Sequence, residues 1–144
     1  MEILKKDCSS ENLISLKKWF ESEASNDDIK DFMIYEGGYV LFNLLRESEF
    51  KSRKTFNFKK QIIILEIIDY LLTKSKSFDF DIMDLILNIK GSFTDITMNI
   101  NRYNVEVSCI AFEIIIKFFY LKQNAYYLFY DAIINYKNEN NLKY

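Results

Sequence analysis

Proline is absent from this chain of 144 residues, histidine is absent too, and glycine occurs only three times. Few positions are left for tight hairpin turns, so a sequence that is 49% apolar must be organised by long helices joined by polar loops. Without histidine the chain lacks the commonest general base near neutral pH and the commonest metal ligand. Its two cysteines, Cys8 and Cys109, have neither CxxC spacing nor the numbers for a disulfide framework. They point to a reducing, cytoplasmic compartment and to Cys109 as a small buried apolar residue. Gly37-Gly38 and Gly91 carry no flanking GxxxxGK or GxGxxG pattern that would cradle a phosphate. The helix-spaced carboxylates Glu66/Asp69 and Glu106/Glu113 read as solvated faces rather than acid–base dyads. The expectation is a non-enzymatic protein with no cofactor and no metal.

A net charge of −2 supplies no field to attract nucleic acid or an anionic membrane. The start MEILKKD has no apolar core of signal-peptide length, and Glu66, Asp69, Glu113 and Lys117 interrupt the longest apolar runs. No membrane-spanning segment is expected. The length suits one domain over residues 1–144, with 1–8 and 138–144 as frayed ends.

Residues 27–47 are the stretch around which the rest is arranged. A short amphipathic helix capped by Asn26 or Asp27 presents Ile29, Phe32 and Met33 on one side, and a second helix starts near Tyr39. Between them Gly37-Gly38 predicts a corner with a left-handed residue. Upstream, Ser9-Ser10 caps a helix carrying Leu13, Ile14, Leu16, Trp19 and Phe20. Downstream, residues 48–57 read as a loop whose Lys51, Arg53 and Lys54 are solvated rather than aimed at phosphates. Residues 58–74 form a central helix, apolar almost all round, with Glu66, Asp69 and Thr73 sharing a polar stripe with Lys59. Asp79 or Asp81 caps a further helix that Gly91 ends, and residues 93–102 form a short helix or irregular turn. Residues 104–120 repeat the 58–74 character, with Glu106, Glu113, Lys117 and Tyr120 as the polar stripe and Phe112 and Phe119 on the apolar surface. These two helices are expected to be the most buried, with Leu65, Ile68, Ile110 and Ile114 in the core. Residues 125–137 make a last amphipathic helix. Two such apolar helices about one repeat of some 40–47 residues apart suggest stacked helical repeats.

The succession DDIKDFMIYEGG, YVLFNLLRE, a charged insert, KKQIIILEIIDYLL, IMDLILNI and EVSCIAFEIIIKFF resembles the armadillo-like regulatory region, of the diaphanous-inhibitory type, in diaphanous-related formins. The resemblance implies an all-α, armadillo-like α-solenoid of about two to three repeats. It also implies a protein-binding scaffold that engages a Rho-family GTPase and an amphipathic autoinhibitory helix to control actin assembly. The chain lacks the formins' actin-assembling domain and proline-rich stretch, so its actin role would be indirect. On the resemblance and the stripes together, the partner-binding groove is lined by Glu66, Asp69, Tyr70, Glu113, Lys117 and Tyr120. The bland reading of those residues is the wet side of two core helices. The competing function is a self-associating structural module, a homodimer through the aromatic-rich C-terminal helices, with no GTPase link. An RNA-binding repeat would need a basic inner face, which Glu66, Asp69, Glu106 and Glu113 argue against.

Overall fold

A computed structural model describes residues 9–100, 103–122 and 125–139, with the side chains of 136–139 outside that description. Eight α-helices run through the described residues, and no strand occurs among them. Cys8, residues 1–8, residues 140–144 of the expected frayed end 138–144, and positions 101–102 of the 93–102 segment lie outside the described residues; residues 138–139, expected to fray, belong to the last helix.

Helix α1 (Ser10–Lys18) is capped by Ser9, whose hydroxyl accepts the Asn12 N–H at 3.3 Å, and runs into a π-helical turn, Trp19–Glu23. Helix α2 (Asn26–Ile34) is capped by Ser25 and not by Asn26 or Asp27, so it starts one or two residues earlier than expected. The Ser25 hydroxyl accepts from the Asp28 N–H while the Asp28 carboxylate accepts from the Ser25 N–H, a reciprocal capping box. Asn26 is thereby released to donate to the Ser77 carbonyl at 3.0 Å.

Helix α3 (Gly37–Thr55) corrects two expectations. Neither Gly37 nor Gly38 is left-handed; both are helical, and their value is the missing Cβ. A Cβ on Gly37 would lie 2.5 Å from the Phe32 carbonyl oxygen, and one on Gly38 would lie 2.9 Å from Ile89 Cδ1. The anticipated loop 48–57 is instead helical to Thr55. Ser48, Glu49 and Ser52 are buried, and the charges pair one turn apart as Glu47–Lys51 and Glu49–Arg53. Phe56, at φ 55°, ends this helix in the left-handed conformation.

Helix α4 (Lys59–Thr73) is the centre of the molecule, with Leu65, Ile67, Ile68 and Leu71 fully buried. It lies against α1 on one flank, against α7 (Val105–Leu121) on another, and on α3. A 3₁₀ turn, Ser75–Ser77, leads to α5 (Ile82–Leu87), capped by Asp81, and Gly91 at φ 77° turns the chain into α6 (Ser92–Thr97). Helix α8 (Ala125–Glu139) lies on α6 and α7. Consecutive contacts thus run α1–α4–α7 and α3–α6–α8, with α2 beside α5. Between α4 and the end of α6 a buried amide pair is enclosed in the core: Gln61 Nε2 donates to Asn99 Oδ1, and Asn99 Nδ2 donates to the Asp95 carbonyl at 2.7 Å.

Helix α7 is less buried than its composition suggests. Val107, Ala111, Ile114, Ile115 and Phe118 enter the core, but Ile110 is half-buried, and Phe112, Ile116 and Phe119 are exposed. Cys109 is also exposed, against the expected interior position. Helix α4 lies between α1, α3 and α7, whereas α7 lies against α4 and, with fewer close approaches, α6 and α8.

Candidate functional site

The six residues expected to line a groove fall on the polar edges of α4 and α7. On α4, Glu66 and Asp69 are three residues apart and therefore one turn apart on the same side of the helix. Glu66 Oε2 accepts from Lys17 Nζ of α1 at 3.2 Å, and Asp69 Oδ1 accepts from Lys117 Nζ of α7. The partners in these two pairs are 49 and 48 positions apart in sequence. Both are partly exposed, so their worth lies more in fixing which helix sits where than in stability. The two acids are consequently neutralised within the chain and do not line the edge as free carboxylates. Tyr70 is half-buried against the core, with the Lys74 ammonium 5.8 Å from its ring centroid. Glu113 is exposed, and Tyr120 is 89% exposed. The structure thus brings Asp69 and Lys117 together, engages Glu66 through α1, and leaves Tyr120 and Glu113 as the solvent-facing members of the set.

A second polar cluster lies on the other row, where sequence reasoning placed a loop. A cavity of about 620 Å³ between α3 and α6 is lined by Arg46, Glu49, Arg53, Asp95, Phe42 and Asn135 among others. Arg46 forks onto Asp95, with Nε to Oδ1 at 3.1 Å and Nη2 to Oδ2 at 2.9 Å. Burial pushes the Glu49 carboxyl above its ordinary pKa; the Arg53 guanidinium pulls it back, and the Asp95 charge adds to the rise. Arg53 Nε lies 3.1 Å from Glu49 Oε1, near enough for charge pairing but not aligned to donate a hydrogen bond. The i,i+4 spacing of Glu49 and Arg53 was the available sequence signal for this cluster, masked by the surrounding basic run.

At the far end of α7, Lys122 bridges Asp81 and Asp84 at 2.6 and 2.8 Å and so ties α7 to the cap of α5. Burial works to raise the Asp81 pKa, but the Lys122 bond and the backbone N–H groups of Asp84 and Met83 outweigh it and hold the carboxyl below its ordinary value. The same bonds hold the Lys122 ammonium above its ordinary value. Among the described residues no group of three or more Cys, Asp or Glu side chains is arranged to hold a metal ion, and no helix is long and apolar enough to cross a membrane. Comparison with protein-family models, with curated proteins and with solved structures gives no match for this chain.

Proposed function

We propose that this chain is a non-enzymatic, cytoplasmic protein-binding scaffold of the armadillo-like kind, a short solenoid of two to three helical repeats. In the formin-like version of this reading it receives a Rho-family GTPase and an amphipathic autoregulatory helix. The observation that supports it is the near-constant interval of the three ion pairs that join successive helices of one row; the Lys122 pairs, which tie α7 to the cap of α5, stand outside that interval. Lys17–Glu66, Arg46–Asp95 and Asp69–Lys117 join residues 49, 49 and 48 positions apart. Stacked repeats give each helix a partner one repeat further along at a near-constant sequence offset, whereas an unrelated helical bundle imposes no such interval. The α1–α4–α7 edge then offers a ready docking line. Tyr120 and Tyr70 supply aromatic surface at modest entropic cost, and Glu113 supplies a negative charge for a basic flank.

The test is titration of the full chain with Rho-family GTPases in both nucleotide states and with a basic-flanked amphipathic helix peptide. A Glu113→Lys, Tyr120→Ala double variant, altered only at solvent-facing positions, should bind on the order of tenfold more weakly than the wild type. Equal affinity and equal salt dependence of wild type and variant, or no binding by the wild type to any of these ligands, would defeat the assignment.

A further inference from the structure

We infer that the groove between the end of α1 and helix α2 binds a methylated ammonium head group, carried either by a small molecule or by a modified lysine side chain. None of the groove's residues belongs to the α4–α7 edge, and the inference does not rest on that edge binding a partner.

The local sequence builds an aromatic wall. In the π-helical turn that follows α1, Phe20 enters the core at 2% exposure while Trp19 stays half-buried. Phe32 of α2 meets Phe20 edge-on, ring centroids 5.0 Å apart, and Trp19 lies 6.3 Å from Phe32 with the two rings tilted by 54°. Gly37 also closes on Phe32, because a Cβ there would lie 2.6 Å from the ring. Packing thus holds Phe32 in place. Tyr35, about one turn further along the chain, adds a third ring at 78% exposure. Trp19, Phe32 and Tyr35 together line a groove of about 550 Å³.

The charge of the groove has one sign. Asp28, Asp31 and Glu36 line it, and among the described residues no Lys or Arg does. The nearby lysines are engaged elsewhere: Lys17 Nζ donates to Glu66, and the Lys30 ammonium lies 5.9 Å from the Phe80 ring centroid. Asp28 belongs to the α2 capping box, but the Asp31 carboxylate, one turn on, has no hydrogen-bond or ion-pair partner among the described residues. Tyr35 and Glu36 follow the C-terminal end of α2, where the helix dipole is negative and adds to the attraction for a cation.

Rings and carboxylates together select the occupant. Ring faces attract a cation held within about 6 Å of their centroids, and carboxylates nearby strengthen the field. A bare ammonium is compact and strongly hydrated, so it gains little by leaving water for an open groove. Methyl groups weaken that hydration and give the rings apolar surface to cover, so the methylated form gains more. A metal ion would need converging oxygen ligands, and among the described residues no three carboxylates are so arranged.

Trp19 is the only tryptophan of the chain, so its fluorescence reads the groove directly. Tetramethylammonium chloride titrated into the full chain should change that fluorescence saturably, whereas sodium chloride and ammonium chloride at equal ionic strength should not. Choline and a peptide bearing one trimethylated lysine should produce the same change, and whichever binds more tightly names the source of the head group. Asp31→Asn and, separately, Tyr35→Ala, both solvent-facing, should bind tetramethylammonium several-fold more weakly with unchanged far-UV circular dichroism. Glu21→Gln, on the same turn as Trp19 but outside the groove, should bind as the wild type does. Should either groove variant unfold, the wild type still decides the matter: the uncharged analogue of choline with carbon in place of nitrogen should bind several-fold more weakly than choline. No saturable change with tetramethylammonium would overturn the inference. So would equal binding of ammonium or of the uncharged analogue, or folded groove variants with unchanged affinity.

Discussion

Arg46 and Asp95 meet fork to carboxylate across 49 positions of sequence, the arginine half-exposed and the aspartate almost fully buried. Removing the arginine takes both forked bonds from a buried carboxylate that lies beside Glu49. Arg46→Ala should therefore lower stability by about 1–2 kcal/mol in urea unfolding, less than for a wholly buried pair because solvent reaches the guanidinium. Arg46→Lys keeps the charge but loses the two-pronged geometry, and should recover only part of that loss. Equal stability of all three proteins would show the pair to be ornamental.

The two adjacent glycines of α3 separate two kinds of close approach. At Gly37 the obstacle to a Cβ is the Phe32 backbone carbonyl, with the Phe32 ring 2.6 Å away. At Gly38 it is mainly the flexible ends of Ile89 and Met33. Alanine gains up to about 1 kcal/mol over glycine in a helix interior and less at the first two positions of a helix, where Gly37 and Gly38 stand. Gly38→Ala should accordingly come out near neutral, while Gly37→Ala should destabilise by more than about 2 kcal/mol, since the α2–α3 corner must move. Thermal melts of the two variants compared side by side would reveal the difference, and a reversed order would contradict the packing at this corner.

Why these features were or were not legible follows from the range over which each acts. The 3.6-residue periodicity located α4, α7 and α8 within a residue or two at most boundaries, because a helix is a local object. Residues 48–55 read as a loop because Lys51, Arg53 and Lys54 dominate the segment, yet Glu47 and Glu49 one turn before them were the local cue for a helix. The Gly37-Gly38 pair was recognised as special, but a left-handed turn and a close helix approach both require a missing Cβ, and one sequence does not tell them apart. Exposure of Cys109 and Phe112 depends on how other helices lie against α7, which no local pattern encodes. Glu66 and Asp69, three residues apart, share one side of α4 because helical spacing is local. That their partners are Lys17 and Lys117 is a fact about pairs 48 and 49 residues apart, and their own neighbourhood says nothing of it.

Glu49 should leave a mark on the pH dependence of stability. A carboxyl whose pKa is raised by folding holds its proton more tightly in the folded state. Stability should therefore fall as pH rises from the ordinary value of 4.5 through the raised value, with the loss complete above it. Asp81 works oppositely and lower on the scale: its contribution is present above its ordinary 3.8 and is lost as pH falls towards its lowered value. Glu49→Gln should gain stability relative to wild type between the mildly acidic range and neutrality in denaturant titrations. A difference between the two proteins that does not change with pH would remove Glu49 as the cause.

Phe56 ends α3 in a left-handed conformation while its side chain is largely exposed. That conformation costs a residue with a Cβ roughly 1–2 kcal/mol, and an exposed ring offers little packing in return. Phe56→Gly should raise stability by about 0.5–1 kcal/mol after the greater freedom of glycine in the unfolded chain is allowed for. A lower melting temperature in the variant would mean that the ring contributes more contact than its exposure suggests.

The Gln61–Asn99 pair bears on a question that contact energies leave aside, namely why there should be one native arrangement and not several. An interior assembled from Ile and Leu methyl groups discriminates poorly between helix α4 in its place and α4 slid along its neighbours by a turn, about 5.4 Å. After such a slide most apolar neighbours would be exchanged for chemically similar ones. The amides, in contrast, would lose each other while still shut away from water, at a cost of about 1–3 kcal/mol for each stranded group. The pair therefore acts as an address for α4: replaced by two leucines, the chain should hold a similar melting temperature but show broadened core resonances, as several near-equivalent packings interconvert.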